Sequence, residues 1–573
     1  MVCDMNFSEL LSRVVQDTVG NNPFGDLSGV LSGKQPTFMD GSLLMFLPEL
    51  IVVGTILALL FVRLLDLDKV ISGQSVALLG ATVALLVAVV QFLAIKNLDP
   101  STSGVVLPKT MFTGLLVYDA FTVFFKVFLL LFLQLVVYLT QLTGLPDRDD
   151  APDFYTLLFG STLGMLLMIS SNNLLMVFLG IEMTSVPSYA MVGFLKGRRT
   201  SSEAAFKYVV YGAGAAGVML YGISLMAGLL GTASFPEMAA RLNLVIGSGP
   251  LKLDATLLTL LLSIVMILVG IAFKLSIFPF HFWGPDAFEG AATEVAGFLS
   301  VASKGAAFAL LIRVLLALVG IDQAPSGVMT PVFFYLGIAI SVLAAVTATF
   351  GNLAAYSQNN IKRLLAYSTI AHAGYMLMAV GAMMVLLNAS KHVPDPAARW
   401  ELAIRAIEGL LFYLWVYMFM NLGAFAVAAL IRNELFSEDI TDFGGLWTQA
   451  PVLSFTMACC MFSLIGMPPF GGFTGKFMVF SSLFQAGHYH WAMWGVLAVA
   501  GINTVFSLFY YVRVLKFMFI APAKDGARRV RVPAWSAAWF FVLSLAVLVL
   551  LTGMWGAAPL SATAHEVAAA LFP

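Results

Sequence analysis

Long apolar runs separated by short polar connections fill the chain from residue 42 to residue 556. Fourteen runs can be traced, at 42–62, 74–95, 119–141, 154–171, 173–195, 204–231, 255–282, 293–320, 329–350, 364–388, 404–431, 451–485, 491–519 and 534–556. At about 1.5 Å per residue each is long enough to cross a hydrocarbon core about 30 Å thick. The runs are continuous rather than alternating, which argues against a transmembrane barrel. Lipid offers no partner to open backbone groups, so the runs predict helices. The expected fold class is an all-α polytopic membrane protein with about 14 transmembrane helices. Only Ser171-Asn172-Asn173 divides the fourth run from the fifth, which predicts a tight helical hairpin. Residues 1–41 read as a polar N-terminal extension with a short helix around Ser8–Val15. They lack the basic start and short apolar core of a signal peptide.

Two runs carry breaks. The seventh contains Ile271-Ala-Phe-Lys-Leu-Ser-Ile-Phe-Pro279-Phe-His281, and the twelfth contains Ile465-Gly-Met-Pro468-Pro469-Phe-Gly471-Gly472. Proline removes a backbone donor and clashes one turn back, so both helices are expected to unwind there. The breaks lie five segments apart. Helices 4–8 (154–320) and 9–13 (329–519) therefore read as two five-helix repeats, preceded by helices 1–3 (42–141) and followed by helix 14 (534–556). An odd repeat length makes the copies inverted. Broken helices at matching positions point to a transport site near mid-membrane.

Charge adds sidedness. Connections after odd-numbered segments hold Arg63 and Lys69, Arg148, Lys196 with Arg198 and Arg199, Lys362 and Arg363, Arg432, and finally Arg513, Lys516, Lys524, Arg528, Arg529 and Arg531. Those after even-numbered segments hold fewer cations: Lys96, Lys109, Arg241, Lys252, Lys391 and Arg399. The positive-inside rule then places the odd connections in the cytoplasm and both termini outside.

Composition closes off other classes. Of 573 residues, 60% are apolar and 11% charged, against about 25% charged in a soluble domain. A net charge of −1 without a basic stripe argues against nucleic acid. Cys3, Cys459 and Cys460 have no metal-ligand spacing. No strand-associated GxGxxG, Walker loop or paired-histidine haem pattern occurs. The chain is therefore expected to bind no nucleotide, flavin, haem or iron–sulfur cluster, and any redox chemistry belongs to another subunit.

Ionisable residues at bilayer depth are costly and usually functional. Glu182 sits in Phe178-Leu-Gly-Ile-Glu-Met-Thr-Ser-Val-Pro187, and Lys274 one turn before Pro279. They read as a switchable pair: a nearby carboxylate keeps the lysine charged, and its withdrawal frees the proton. Lys304 lies among small residues in the eighth segment, and Lys476 follows the second break. Lys207, His281 and His372 are secondary candidates, since histidine titrates near neutrality. Lys126 and Arg313 are expected to snorkel. Asp286 and Glu289 fit capping or gating equally well. A row of lysines with one glutamate repels cations such as sodium and suits a proton wire through waters.

These residues carry a resemblance. The stretch Phe273-Lys-Leu-Ser-Ile-Phe-Pro-Phe-His-Phe-Trp-Gly-Pro-Asp-Ala-Phe-Glu-Gly290 resembles the broken-helix motif of the antiporter-like subunits of respiratory complex I. Residues 297–308, 352–375 and 466–476 resemble the subunit N family in particular, and the similarity covers roughly residues 42–556. The resemblance implies fourteen helices with two inverted five-helix repeats in one proton-pumping unit of NADH:quinone oxidoreductase. It implies proton-transfer roles for Glu182, Lys274, Lys304 and Lys476. A glutamate at the position of Lys476 is known in subunit M, and subunit L carries a long lateral helix not expected after segment fourteen. This chain departs from the family at Gly290-Ala-Ala-Thr-Glu294-Val, where prolines without a charge are usual, and in its longer polar N-terminus.

The implied setting is the inner membrane of a bacterium. The implied partners are subunits M, K, J and A and the lipid bilayer, with NADH, FMN, iron–sulfur clusters and quinone held by other subunits. The alternative is a subunit of a Mrp-type cation/proton antiporter.

Overall fold

The computed structural model describes residues 42–97, 107–147, 149–247, 254–320, 329–524, 530, 533 and 535–572. The N-terminal extension with its expected helix, Cys3, and the loop cations Arg148, Lys252, Arg528, Arg529 and Arg531 lie outside the described residues. The rest is helical apart from its connections. Six helices come first: α1 (Leu47–Leu64), α2 (Gly73–Lys96), α3 (Ala120–Thr143), α4 (Ala151–Ile169), α5 (Leu174–Val192) and α6 (Arg199–Leu230). The seventh segment is split into α7a (Ala255–Leu275) and α7b (Trp283–Gly290). Next come α8 (Thr293–Val319), α9 (Thr330–Ala355), α10 (Ile361–Leu387) and α11 (Pro396–Leu435). The twelfth segment is split into α12a (Pro451–Ile465) and α12b (Gly471–Gly487), followed by α13 (Trp491–Phe519), α14 (Ala537–Met554) and α15 (Ala557–Ala569).

Thirteen of the described helices are long and apolar enough to cross a membrane, so the chain is a multi-pass membrane protein. The twelfth expected segment is not among them because its halves have only 15 and 17 residues.

Burial ranks the helices. The most apolar windows of α8, α10 and α11 are 94%, 100% and 94% buried, against 33% for α1 and α2. A helix apolar all round belongs inside a bundle, and these three form its axis. The outer helices turn Leu57, Leu79, Phe206, Val265 and Val505 outward, as a lipid-facing surface does. Small residues set the close crossings: a Cβ at Gly374 of α10 would stand 2.6 Å from the Ala348 backbone nitrogen of α9.

The odd-numbered connections gather at one end of the bundle. Arg63 donates to the Asp149 carbonyl at 3.0 Å, Lys196 pairs with Asp150 at 3.0 Å, and Asn433 donates to the Thr143 carbonyl at 2.8 Å. Arg513 reaches the Tyr356 carbonyl at 2.7 Å, and Lys524 pairs with Asp442. Hydrogen bonds from Lys524 and Ser437 hold the Asp442 carboxyl below the usual carboxylate range, against a smaller upward push from burial.

Some elements were not foreseen. A ribbon pairs Lys109–Met111 with Leu116–Tyr118, and a helix covers Phe235–Ile246. Both support the expected hairpin between α4 and α5: Ser171 bridges to Leu116, and Asn173 to Ser234 just before that helix. Helix boundaries also differ, since α6 and α11 run longer than the apolar runs that mark them.

Two expectations need correction. Neither Lys126 nor Arg313 snorkels. Lys126 is fully buried, with its ammonium 2.8 Å from the Glu49 carboxylate and 3.0 Å from the Met45 carbonyl. The buried Arg313 guanidinium forks onto Asp119 at 2.8 and 3.0 Å and onto Thr122 and the Ile169 carbonyl at 2.6 Å each. Reaching an interface is unnecessary where a partner carboxylate and carbonyls already hold the buried charge.

Candidate functional site

The site is built on the two breaks. α7a stops at Leu275 because Ser276 takes a left-handed conformation, φ 57°, and Pro279 follows. α12a stops at Ile465, where Gly466 has φ 90° ahead of Pro468 and Pro469. Each stop frees carbonyls at the negative end of a helix dipole, deep in a bundle where water cannot satisfy them.

Lysines take up those carbonyls. Lys304 of α8 donates to the Leu275 carbonyl at 2.7 Å. Lys476 of α12b donates to the Leu464 and Ile465 carbonyls, both at 2.9 Å. Both side chains are buried. Other groups complete each break. The Trp283 indole donates to the Phe273 carbonyl at 3.0 Å, and the Phe278 amide to Thr347 at 3.2 Å. Ser463 accepts from the Gly472 amide at 3.1 Å, and a Cβ on Gly472 would collide with the Ser463 carbonyl oxygen. Gly305 gives Lys304 its setting, because a Cβ there would stand 2.7 Å from the Phe128 ring of α3.

Lys274 lies in the last turn of α7a, buried, and donates to the Ser185 hydroxyl at 3.0 Å. Ser185 lies one turn after Glu182 on α5. The two charges expected to pair are thus in electrostatic reach, with serine rather than glutamate holding the ammonium. Glu182 itself is half-buried.

His372 sits in a buried polar cluster beside Lys476. Its Nδ1 meets the Tyr413 hydroxyl at 2.6 Å and its Nε2 the Tyr511 hydroxyl at 3.1 Å, with Ser368 also on Tyr511. The Lys476 ammonium lies 4.6 Å from the centre of the Tyr375 ring. Asn352 donates to the Tyr375 hydroxyl and to Asn503, and accepts from Tyr510 at 3.0 Å. Sequence reading missed Tyr413, Tyr510, Tyr511 and Asn503, as well as Glu49 and Asp119. The available signal was a polar side chain inside an apolar run, in runs other than those of Lys274, Lys304 and Lys476.

His281 lies at the first break, buried among the rings of Phe278, Phe282 and Phe350, with no hydrogen-bond partner on either ring nitrogen. Lys207 stands apart from the buried lysines. It pairs with Glu203 at 2.9 Å and Asp286 at 2.8 Å, and Arg363 also bonds Asp286 at 2.8 Å and pairs with Glu289. Asp286 therefore ties α6, α7b and α10 together at the charged end.

Chemically, this arrangement holds ammonium groups on neutral dipoles, stripped of bulk water, with hydroxyl and imidazole groups beside them. Such groups can lose and regain a proton without moving a heavy atom far. Among the described residues no group of three or more His, Cys, Asp or Glu side chains is arranged to hold a metal ion.

Comparison with known proteins points the same way. The family described as "NADH:quinone oxidoreductase/Mrp antiporter, TM" matches residues 171–391 and 400–501, which include all seven sequence candidates. The NADH-quinone oxidoreductase subunit N of Anaeromyxobacter sp. (strain Fw109-5) is 38% identical over 532 residues, 90% of this chain and 94% of the relative. A chain of respiratory complex I from Thermus thermophilus, solved with bound aureothin, is 28% identical with a TM-score of 0.67, over 90% of this chain and 99% of that one. A chain of the Mrp complex from Dietzia sp. DQ12-45-1b has a TM-score of 0.70 over 92% of this chain and 98% of that one. Its identity is 17%, so it shares the fold.

Proposed function

This chain belongs to the NADH:quinone oxidoreductase/Mrp antiporter transmembrane family, on its subunit N side, and from that premise we propose that it moves protons across the membrane as one subunit of a quinone-reducing complex. The observation that carries the reading is the placing of Lys304 and Lys476 on carbonyls that the two helix breaks set free. A lysine held this way is anchored by dipoles and not by a counter-charge. Its proton can therefore be released when a nearby charge changes.

Glu182 supplies such a charge for Lys274. Ser185 holds the ammonium while the carboxylate stands off, so a shift of α5 against α7a would alter the lysine's proton affinity. Protons then pass from Lys274 to Lys304 and on to Lys476, with His281 and His372 as secondary relays. Lys207 acts at the charged end through Asp286. Residues 154–320 and 329–519 form two inverted five-helix repeats, and each contributes one break.

The wider setting is also proposed. The charged end faces the cytoplasm and both termini face outward, in the inner membrane of a bacterium. Subunits M, K, J and A are neighbours, and NADH, FMN, the iron–sulfur clusters and quinone are handled by other subunits. The chain itself needs no cofactor.

The test is gentle extraction from the native membrane, mass spectrometry of what stays bound, and reconstitution in sealed vesicles. The reading predicts co-purifying flavin and iron–sulfur subunits and vesicle acidification driven by quinone reduction. Recovery of antiporter-like membrane subunits alone, with proton flux that follows a sodium gradient, would contradict it and favour the Mrp-type exchanger.

A further inference from the structure

Glu294 is a buried carboxylate without a hydrogen-bond partner. It lies in the first turn of α8, 1% exposed, and neither of its oxygens accepts a hydrogen bond. The neighbouring Thr293 hydroxyl is also buried and unpartnered, and Ala292 at the helix N-cap offers no side-chain bond. Buried carboxylates without donors are rare enough to call for a reason. The free amides and dipole of a 27-residue helix favour negative charge at this point.

Beside it lies a cavity of about 820 Å³ at the charged end, lined in part by Arg198, Glu289, Lys362, Arg432, Glu438 and Asp439. Lys362 is its inner wall. The Lys362 ammonium pairs with Glu438 at 2.9 Å and donates to the Ala291 carbonyl at 2.8 Å, just before α8 begins. Glu294 stands within electrostatic reach of Lys362 but does not line the cavity. Arg432, 3.4 Å from Glu438, is the other cation of this group. Further along α8, Gly297 offers no side chain. Ser300 then bonds Asn421 of α11, whose carbonyl oxygen is buried and unpartnered. Lys304 follows one turn after Ser300, about 15 Å along the axis from Glu294.

We propose that Glu294 is a proton-exchanging residue at the entrance to the Lys304 site, taking protons from cavity water past Lys362 and passing them along the Ser300–Asn421 face. The carboxylate gains a proton from water and gives it up to the next acceptor, so no other bond changes. The proposal rests on the reading that this chain moves protons. It assigns that route an entry independent of Glu182 and Lys274.

The test uses the whole complex in sealed vesicles loaded with a pH dye. Glu294→Gln keeps the shape and removes the carboxylate, and proton flux is expected to fall at least threefold per assembled complex. Glu294→Asp should restore more than half of it but not all, because its reach is shorter. Added formate, a small carboxylic acid, should speed Glu294→Ala at least twofold while leaving the wild type unchanged, an effect that a purely structural carboxylate does not produce. Wild-type flux in Glu294→Gln would overturn the proposal, as would absence of formate rescue in an assembled Glu294→Ala complex. Should both neutral variants fail to assemble, Glu294→Asp decides: its shorter reach should slow flux in a complex of normal abundance, and unchanged flux overturns the proposal. Flux driven by a sodium gradient instead of quinone reduction would overturn the coupling reading alone, since the same variants still score the carboxylate.

Discussion

Lys274, Lys304 and Lys476 are buried in the same bundle but anchored differently. Lys274 rests on a serine hydroxyl near a carboxylate, and the other two rest on helix-end carbonyls. On the proposed proton-transfer role of Lys274, its replacement with alanine should slow coupled turnover by about 10²-fold, the low end for such a group. Vesicle acidification measured against quinone reduction checks this. Glu182→Gln should slow pumping less, because Ser185 still holds the ammonium. The Glu49–Lys126 pair calls for a different kind of measurement. Removing one partner leaves a buried charge alone, so Glu49→Leu or Lys126→Met should each cost about 3–5 kcal/mol. The double replacement should recover most of that loss, and thermal unfolding of the extracted complex gives the comparison. Each intramembrane lysine was legible in the sequence as a rare charge in an apolar run. The partners were not, because Glu49 and Lys126 lie in different runs, as do Asp119 and Arg313, and only folding brings them together.

At the scale of the element, the breaks organise the site. Proline announced both of them, and the structure places the helix ends at Leu275 and Ile465. What the pattern could not show is where the freed carbonyls go. Lys476 returns to its own preceding half-helix, whereas Lys304 comes from the next helix in the chain. Gly472 is the tightest point of the second break, since a side chain there meets the Ser463 carbonyl. Gly472→Val should therefore push α12b away from α12a and lower the amount of assembled complex severalfold, read by native gel electrophoresis. Asp119→Ala should weaken the tie between α3 and the end of α8 by about 3–5 kcal/mol. Pumping per assembled complex should stay unchanged, because that pair lies away from all three lysines. The ribbon at Lys109–Met111 and the helix Phe235–Ile246 escaped notice because they are short, and their residues carry no long apolar period.

Across the whole molecule, the central helices α8, α10 and α11 carry Lys304, His372, Tyr375 and Tyr413, while Tyr511 reaches His372 from α13. The outer helices face lipid or neighbouring subunits. The bundle thus keeps its ionisable groups along a buried axis that runs through both halves of the chain, with the charged connections collected at one end. Apolar run length made the membrane class and the helix order legible. The ranking of helices by burial was less so, because α1 and α10 are almost equally apolar yet their windows are 33% and 100% buried. The central claim is that this axis carries protons in step with electron transfer. The most direct test is the proton-to-electron ratio of the complete complex in sealed vesicles, wild type against Lys304→Met. The account predicts that the variant either pumps fewer protons per quinone reduced or stops turning over. Full turnover at the wild-type ratio would contradict it.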